Sequence, residues 1–148
     1  MDANVKTEKS RDEQELLAKK AQWLANFKSQ LIEDLNKTGY ALTITRKTGE
    51  AVPGGVAKAN DQQLILRAGG AALPWADLSL DSAYEMGQSF IQPDMPPDIT
   101  AFRKWHLGVF AFYAGKNKEA LELLTAAAKL RSVFKEELPL FEKASGPF

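Results

Sequence analysis

Few side chains in this chain of 148 residues could do chemistry, and the single histidine is the first of them. On a helix, His106 shares a face with Phe102, Phe110 and Tyr113. A lone histidine on an apolar face is typical of a packed, hydrogen-bonded core residue rather than of a general base. We therefore predict no catalytic role for His106.

The acids and the cysteine content also argue against metal and nucleophilic chemistry. Asp94 and Asp98 are the acids nearest to His106, but they lie in a proline-rich connector that fixes no ligand geometry. On a helix, adjacent residues point about 100° apart, so Glu33–Asp34 and Glu136–Glu137 are poorly placed to act as acid–base pairs. We expect them to be solvated. The chain has no cysteine and no G-x-S-x-G elbow. We predict no enzyme, no catalytic residue, no metal site and no cofactor.

Composition indicates a soluble globular protein of one-domain length. Hydrophobic residues make up 45% and charged residues 26%, and 19 basic residues balance 19 acidic ones. A dedicated nucleic-acid binder is usually basic overall, so the balance disfavours that class. The polar start and the lack of a long apolar run predict no signal peptide and no membrane insertion, so a cytoplasmic location is expected.

Hydrophobic periodicity predicts an α+β fold in which one composite domain spans residues 1–148. The predicted segments are a mobile polar lead at 1–9, a long helix at 10–38, an antiparallel β meander at 40–78, a helix at 79–91, a proline-rich connector at 92–100, and a helical hairpin with a capping helix at 101–143. Ser10 and Glu13 have capping-box spacing, and Gly39 is placed to end the long helix. Pro139 is placed to begin the capping helix.

The segment after Tyr40 has the short apolar runs and tight turns of about four strands in sequence order. Its length and hairpin rhythm resemble the small barrels of the Sm-like and Src-homology type. That resemblance implies a strongly bent sheet. The glycine pair in "PGG" at 53–55 predicts a bulge or sharp bend, because no lysine followed by Ser or Thr comes after it as in a phosphate loop. Trp75 is expected to anchor the sheet against a helix.

The stretch from 101 to 130 resembles a tetratricopeptide repeat. The matching residues are Leu107, Gly108, Phe112, Gly115, Glu119, Ala120, Leu124, Ala127 and Leu130. The resemblance implies two antiparallel helices, the first of which faces a partner. The partner-binding residues it implies are Phe102, Trp105, Val109 and Phe112, with Arg103 and His106 at the rim.

The match to that family is incomplete. Ala111 stands where an aromatic residue is usual, Trp105 comes one place late, and no proline follows near Ser132. Only one copy is evident, whereas about three or more repeats normally stack for stability. We therefore expect the hairpin to pack on the sheet and the long first helix, as one wall of a composite domain.

The predicted function is a non-catalytic protein–protein interaction or scaffolding module, an accessory part of a larger, bacterial assembly or signalling protein. Its partner would be another protein or a second copy. One alternative is a nucleic-acid-binding small barrel that uses Arg46, Lys47, Lys58 and Arg67. The other alternative is a self-assembling structural protein.

Overall fold

The computed structural model describes residues 2–144, with side chains described for residues 14–15, 17–139 and 141. The helices in this range are α1 (Asp2–Thr38), α2 (Leu80–Ser89), α3 (Pro97–Tyr113), α4 (Asn117–Leu130) and α5 (Ser132–Ala144). The strands are β1 (Ile44–Thr45), β2 (Ala51–Val52), β3 (Val56–Ala59), β4 (Gln63–Leu66) and β5 (Ala72–Pro74). This combination of helices and small antiparallel sheets confirms the predicted α+β class.

Helix α1 is 37 residues long and begins at Asp2, well before the predicted start at Ser10. Residues 2–9, predicted to be a mobile lead, are therefore part of the helix. No glycine or proline precedes Gly39, so nothing in the sequence stops the helix from extending towards the N-terminus. The predicted end is confirmed: Gly39 has a φ of +70°, and its N–H donates to the Leu35 carbonyl oxygen at 2.8 Å.

The β segment forms five short strands in two sheets, rather than one sheet of about four strands. Strands β1 and β2 form a hairpin, and β3, β4 and β5 form an antiparallel meander. Single antiparallel bridges link Tyr40 with Val56 and Arg46 with Leu78. The second bridge brings the start of the segment back to its end, so the segment is strongly bent, as predicted.

The glycine pair at 53–55 bends the chain where β3 approaches Tyr40. Val56 and Tyr40 exchange both backbone hydrogen bonds, at 2.7 and 2.9 Å. Gly55 has a φ of +78°, and a Cβ atom added there would lie 1.9 Å from the Tyr40 carbonyl oxygen. Only glycine fits this approach. The predicted sharp bend is thus observed, and the pair has a packing role.

Two hydrophobic cores lie on different faces of α3. We call the first the sheet-side core; α1, both sheets, α2 and α3 contribute to it. Its largest fully buried members are Leu35, Ile44, Leu64, Leu73, Met86 and Leu107. We call the second the helical core; it lies between α3, α4 and α5. Its members are Ala101, Trp105, Val109, Leu124, Ala127, Ala128, Phe134 and Phe141. Leu24 of α1 packs against both cores.

Helices α3 and α4 form the predicted antiparallel hairpin. A Cβ atom added at Gly108 would lie 2.9 Å from the side chain of Leu124, and Ala120 is fully buried. These small residues let the two helices approach closely. Helix α3 begins at Pro97, so the end of the predicted connector is helical, and proline is tolerated in a first helical turn.

Helix α5 covers one face of the hairpin. It begins at Ser132 and contains Pro139 in its interior, whereas the sequence predicts that Pro139 begins this helix. Phe134 and Phe141 lie seven residues apart, about two helical turns, and both are buried in the helical core. Burial of these two rings explains why the helix continues through a residue that usually interrupts one.

Candidate docking groove

Three of the six residues predicted to form a partner surface on α3 are buried. Trp105, Val109 and His106 are 0%, 2% and 4% exposed. The Trp105 ring stacks on Phe134 at a centroid distance of 4.8 Å and meets the edge of Trp23 at 5.3 Å. Trp105 is therefore covered by α5 and α1, on the face that a stacked repeat would present to a partner, whereas Phe112 is half-buried.

Arg103 and Phe102 also have packing roles. The Arg103 guanidinium donates two hydrogen bonds to the Asp34 carboxylate, at 2.7 and 3.0 Å. Both side chains are largely buried, so this bidentate pair ties α3 to α1. The Phe102 ring lies 4.2 Å from the His106 ring. Arg103 is therefore engaged with α1, and half-buried Phe102 packs on His106.

His106 is held as a neutral ring. Its Nδ1–H donates to the Phe102 carbonyl oxygen at 2.7 Å, because a carbonyl can only accept. Its Nε2 then accepts from the Asn26 amide at 3.2 Å, and Gln22 donates to Asn26 at 3.0 Å. Burial lowers the pKa of His106, and the hydrogen bond to the Phe102 carbonyl opposes this in part. The arrangement supports the interpretation of His106 as a packed core residue.

No metal site is evident in the part of the chain that the structure describes, where no three His, Asp or Glu residues converge. Asp94 lies in the connector and Asp98 in the first turn of α3, and both are exposed. None of the described helices is both long and apolar enough to cross a membrane.

The four basic residues proposed for nucleic-acid binding lie in two places. Arg46 and Lys47 lie beside the return of the chain at Leu78, where the Lys47 N–H donates to the Asp77 carbonyl oxygen. Arg46 is also 3.6 Å from the Glu50 carboxylate. Lys58 lies in β3 and Arg67 directly follows β4, in the other sheet. The four residues are therefore divided between the two sheets.

The open apolar surface of the molecule lies between α1, α2, α3 and the end of the sheet. A cavity of about 280 Å³ is lined there by Leu24, Phe27, Lys28, Leu31, Trp75, Leu78, Ser79, Leu80, Ala83, Phe110 and Tyr113. A second cavity of about 270 Å³ is lined by Lys20, Leu24, Val109, Phe112, Tyr113 and Phe141. Both cavities share Leu24 and Tyr113, so they adjoin. We call them together the α1–α3 groove.

Large apolar side chains are left exposed at the border of the α1–α3 groove. Tyr113 is 63% exposed and Leu80 is 39% exposed. The floor is packed by contrast: Phe27 and Phe110 stack at a centroid distance of 4.5 Å. Trp75, the predicted anchor of the sheet, is half-buried and donates from Nε1 to the Asn60 carbonyl oxygen at 2.6 Å.

The charged residues that line the groove are two lysines of α1. The Lys28 ammonium lies 5.4 Å from the centre of the Trp75 ring and donates to the Asp61 carbonyl oxygen at 2.6 Å. The Lys20 ammonium lies 5.0 Å from the Phe112 ring and 5.7 Å from the Phe141 ring. Among the described residues, no carboxylate lines either cavity. The groove is therefore apolar with a positive border.

Of the six residues predicted to bind a partner, Val109 and Phe112 line this groove, and the other lining residues were not predicted as site residues. Leu24 and Leu31 belong to the same helical stripe as buried Phe27 and Leu35, so periodicity places all four in the core. Tyr113 is one of many apolar residues in α3, and nothing local marks it as exposed. The one available signal was Lys28 within that stripe, because a charged residue there indicates an open edge.

Comparison of the chain with protein-family models, curated proteins and solved structures found no match.

Proposed function

We propose that this chain is a non-catalytic protein-interaction module, an accessory part of a larger assembly, and that a partner segment docks in the α1–α3 groove. The observation that carries the proposal is the pair of adjoining apolar cavities bordered by exposed Tyr113 and Leu80. Contiguous exposed apolar surface of this kind marks sites that another molecule covers. The proposal keeps the predicted function class and the predicted positions Val109 and Phe112, which line the second cavity, and extends the site to exposed Tyr113.

The walls of the groove favour docking because they are held in place before a partner arrives. The Arg103–Asp34 ion pair joins α3 to α1, and the Phe27–Phe110 stack fixes the same two helices inside the groove. A preorganised surface spends little free energy on ordering when it binds. Exposed Tyr113 then supplies the large amphipathic ring that is enriched at protein interfaces.

The chemistry of the described residues also favours binding over catalysis. Both ring nitrogens of the sole histidine, His106, are hydrogen-bonded, one to the Phe102 carbonyl oxygen and the other to the Asn26 amide. Neither partner is a carboxylate. The groove is lined by apolar side chains, two lysines and one serine. A lysine without an acid or a second polar group beside it makes a weak case for general acid–base chemistry.

Site-specific photo-cross-linking in the cells that naturally express the chain tests this proposal. A photoreactive phenylalanine analogue would replace Tyr113 or Leu80, and Leu42 in a control protein. Leu42 is the matched control because it is also 63% exposed and lines neither cavity. We expect discrete protein adducts from positions 113 and 80 and none of the same mass from position 42.

The proposal is wrong if positions 113 and 80 give no protein adduct in the folded chain. It is also wrong if position 42 captures the same proteins with equal yield, because the groove would then have no special role.

A further inference from the structure

We propose that the occupant of the α1–α3 groove is an acidic amphipathic helix, with carboxylates about two turns apart that pair with Lys20 and Lys28. This inference rests on the proposed function and adds the chemistry of the partner. It follows from three features of the groove: its charge, the spacing of its two lysines and the backbone of its walls.

The charge of the groove selects an acidic occupant. Lys20 and Lys28 both line it, and no described carboxylate does. Two acids close in sequence to lining residues are already paired: Asp81 with Lys116 at 2.8 Å, and Glu137 with Lys19 at 3.1 Å. A docked segment without acids would leave two ammonium groups beside an apolar interface, whereas carboxylates would neutralise them.

The positions of the two ammonium groups set the spacing of those acids. Lys20 and Lys28 are eight residues apart on α1, which corresponds to about 12 Å along the helix axis. Each lies over an aromatic ring at the groove, which restricts where its charge can be. A helix alongside α1 would reach both with acids seven or eight residues apart along one edge of its apolar face.

The walls of the groove favour a helix over an extended segment. They consist mainly of side chains from α1, α2 and α3, whose backbone groups are already paired within those helices. An extended peptide would find few backbone partners there, whereas a helix satisfies its own. The groove is also open at Tyr113, so a single acyl chain would leave much of its surface in water.

A displayed library tests the inference. Each member is one amphipathic helix on a stable scaffold, with varied large apolar residues on one face. Two border positions two turns apart are each Glu, Gln or Lys. Selection on the wild-type chain, with Tyr113→Glu for counter-selection, is expected to enrich Glu over Lys at both positions by about tenfold, as two added ion pairs would give.

Charge-reversal variants show whether the preference is local to the groove. With Lys20→Glu/Lys28→Glu we expect the selected residues to change from Glu to Lys. The matched control is Lys58→Glu/Lys118→Glu, which changes the net charge equally at exposed lysines that line neither cavity. It should keep the preference for Glu. If both variants shift the preference equally, the effect is that of net charge and the inference is wrong.

Other outcomes separate this inference from the proposed function. If helices are enriched without charge preference, and Tyr113→Glu abolishes binding, the groove docks helices but the acidic occupant is wrong. If no helix is enriched while position 113 still cross-links to protein, the partner segment is not a helix and only this inference fails. If neither experiment gives a signal, both proposals fail.

Two remaining occupants are tested on the same proteins. Laurate is titrated into each protein and its binding is followed by Trp fluorescence. Stoichiometric binding to the wild type, and none to Tyr113→Glu, would assign the groove to a long-chain carboxylate. Sedimentation that finds a wild-type dimer and a Tyr113→Glu monomer would assign it to a second copy of this chain. Either result would overturn the acidic-helix inference.

Discussion

The helical core and the α1–α3 groove both lie against α3 and contain similar residues, yet one is closed and the other is open. Around Trp105, the rings of Phe134 and Phe141 come from α5 and fill the space beside α3. At the groove, Tyr113 and Leu80 stay exposed, and no described element lies over them. The comparison teaches that a covering helix, rather than apolar character, decides whether a face of α3 is core or surface.

Removal of an aromatic ring from the helical core should have the largest effect on the stability of the protein. Phe141→Ala leaves a cavity beside Trp105, Trp23 and Phe112, since Phe141 is fully buried among them. We expect a loss of about 3–5 kcal/mol in the free energy of unfolding, measured with urea. Leu42→Ala is the control and should change it by less than about 0.5 kcal/mol. A loss below about 1 kcal/mol for Phe141→Ala would mean that α5 does not close this core.

Loss of the ion pair between α3 and α1 should have the next largest effect on the stability of the protein. Arg103→Ala leaves the Asp34 carboxylate largely buried without its bidentate partner. We expect a loss of about 2 kcal/mol, less than for a fully buried pair because both side chains retain some exposure to water. A double-mutant cycle with Asp34→Ala measures the coupling between them. Additive effects of the two substitutions would show that the pair does not hold the groove walls.

Acid should destabilise the protein through His106. Its pKa is lowered in the folded state, so below about pH 6.5 the unfolded chain binds more protons than the folded one. Stability is therefore highest above this pH, and His106 contributes a fall of at most about 1.4 kcal/mol per pH unit as the pH drops. His106→Asn retains a donor for the Phe102 carbonyl and should flatten this part of the pH profile. Parallel profiles for the two proteins would contradict the packed, neutral histidine.

Removal of the exposed ring at the groove should have the smallest effect on stability. Tyr113→Ala is expected to change the free energy of unfolding by less than about 0.5 kcal/mol, because the side chain is mostly in water. The same variant should lose the adducts captured through position 80. A large loss of stability would place Tyr113 in the core and remove the contrast between the two sides of α3.

The helices could be predicted from the sequence, although α1, α3 and α5 begin earlier than expected. Gly39 ended α1 as expected, Ser79 capped α2 by accepting from the Ser82 N–H at 3.1 Å, and Gly108 marked the crossing of α3 and α4. These are local signals, because each depends on one residue and its immediate neighbours.

The candidate site could not be predicted, because exposure is decided by distant parts of the chain. Trp105 and Tyr113 are both aromatic residues of α3, eight positions apart. Trp105 is buried because Phe134 and Phe141 of α5 pack against it. No residue next to Trp105 in the sequence indicates which distant residues make these contacts. The tetratricopeptide resemblance also implied that Trp105 and His106 are accessible, since it assumes the neighbours of a stacked repeat, and both are buried.

Leu24 connects the two regions, because it packs against both cores and lines both cavities of the α1–α3 groove. A change at this position would alter folding and docking together. Tyr113 and Leu80 touch the groove from its exposed border, so substitutions there leave the cores largely intact. New partner preferences could therefore evolve at these two border residues, while Leu24 is restrained by the stability of the whole fold.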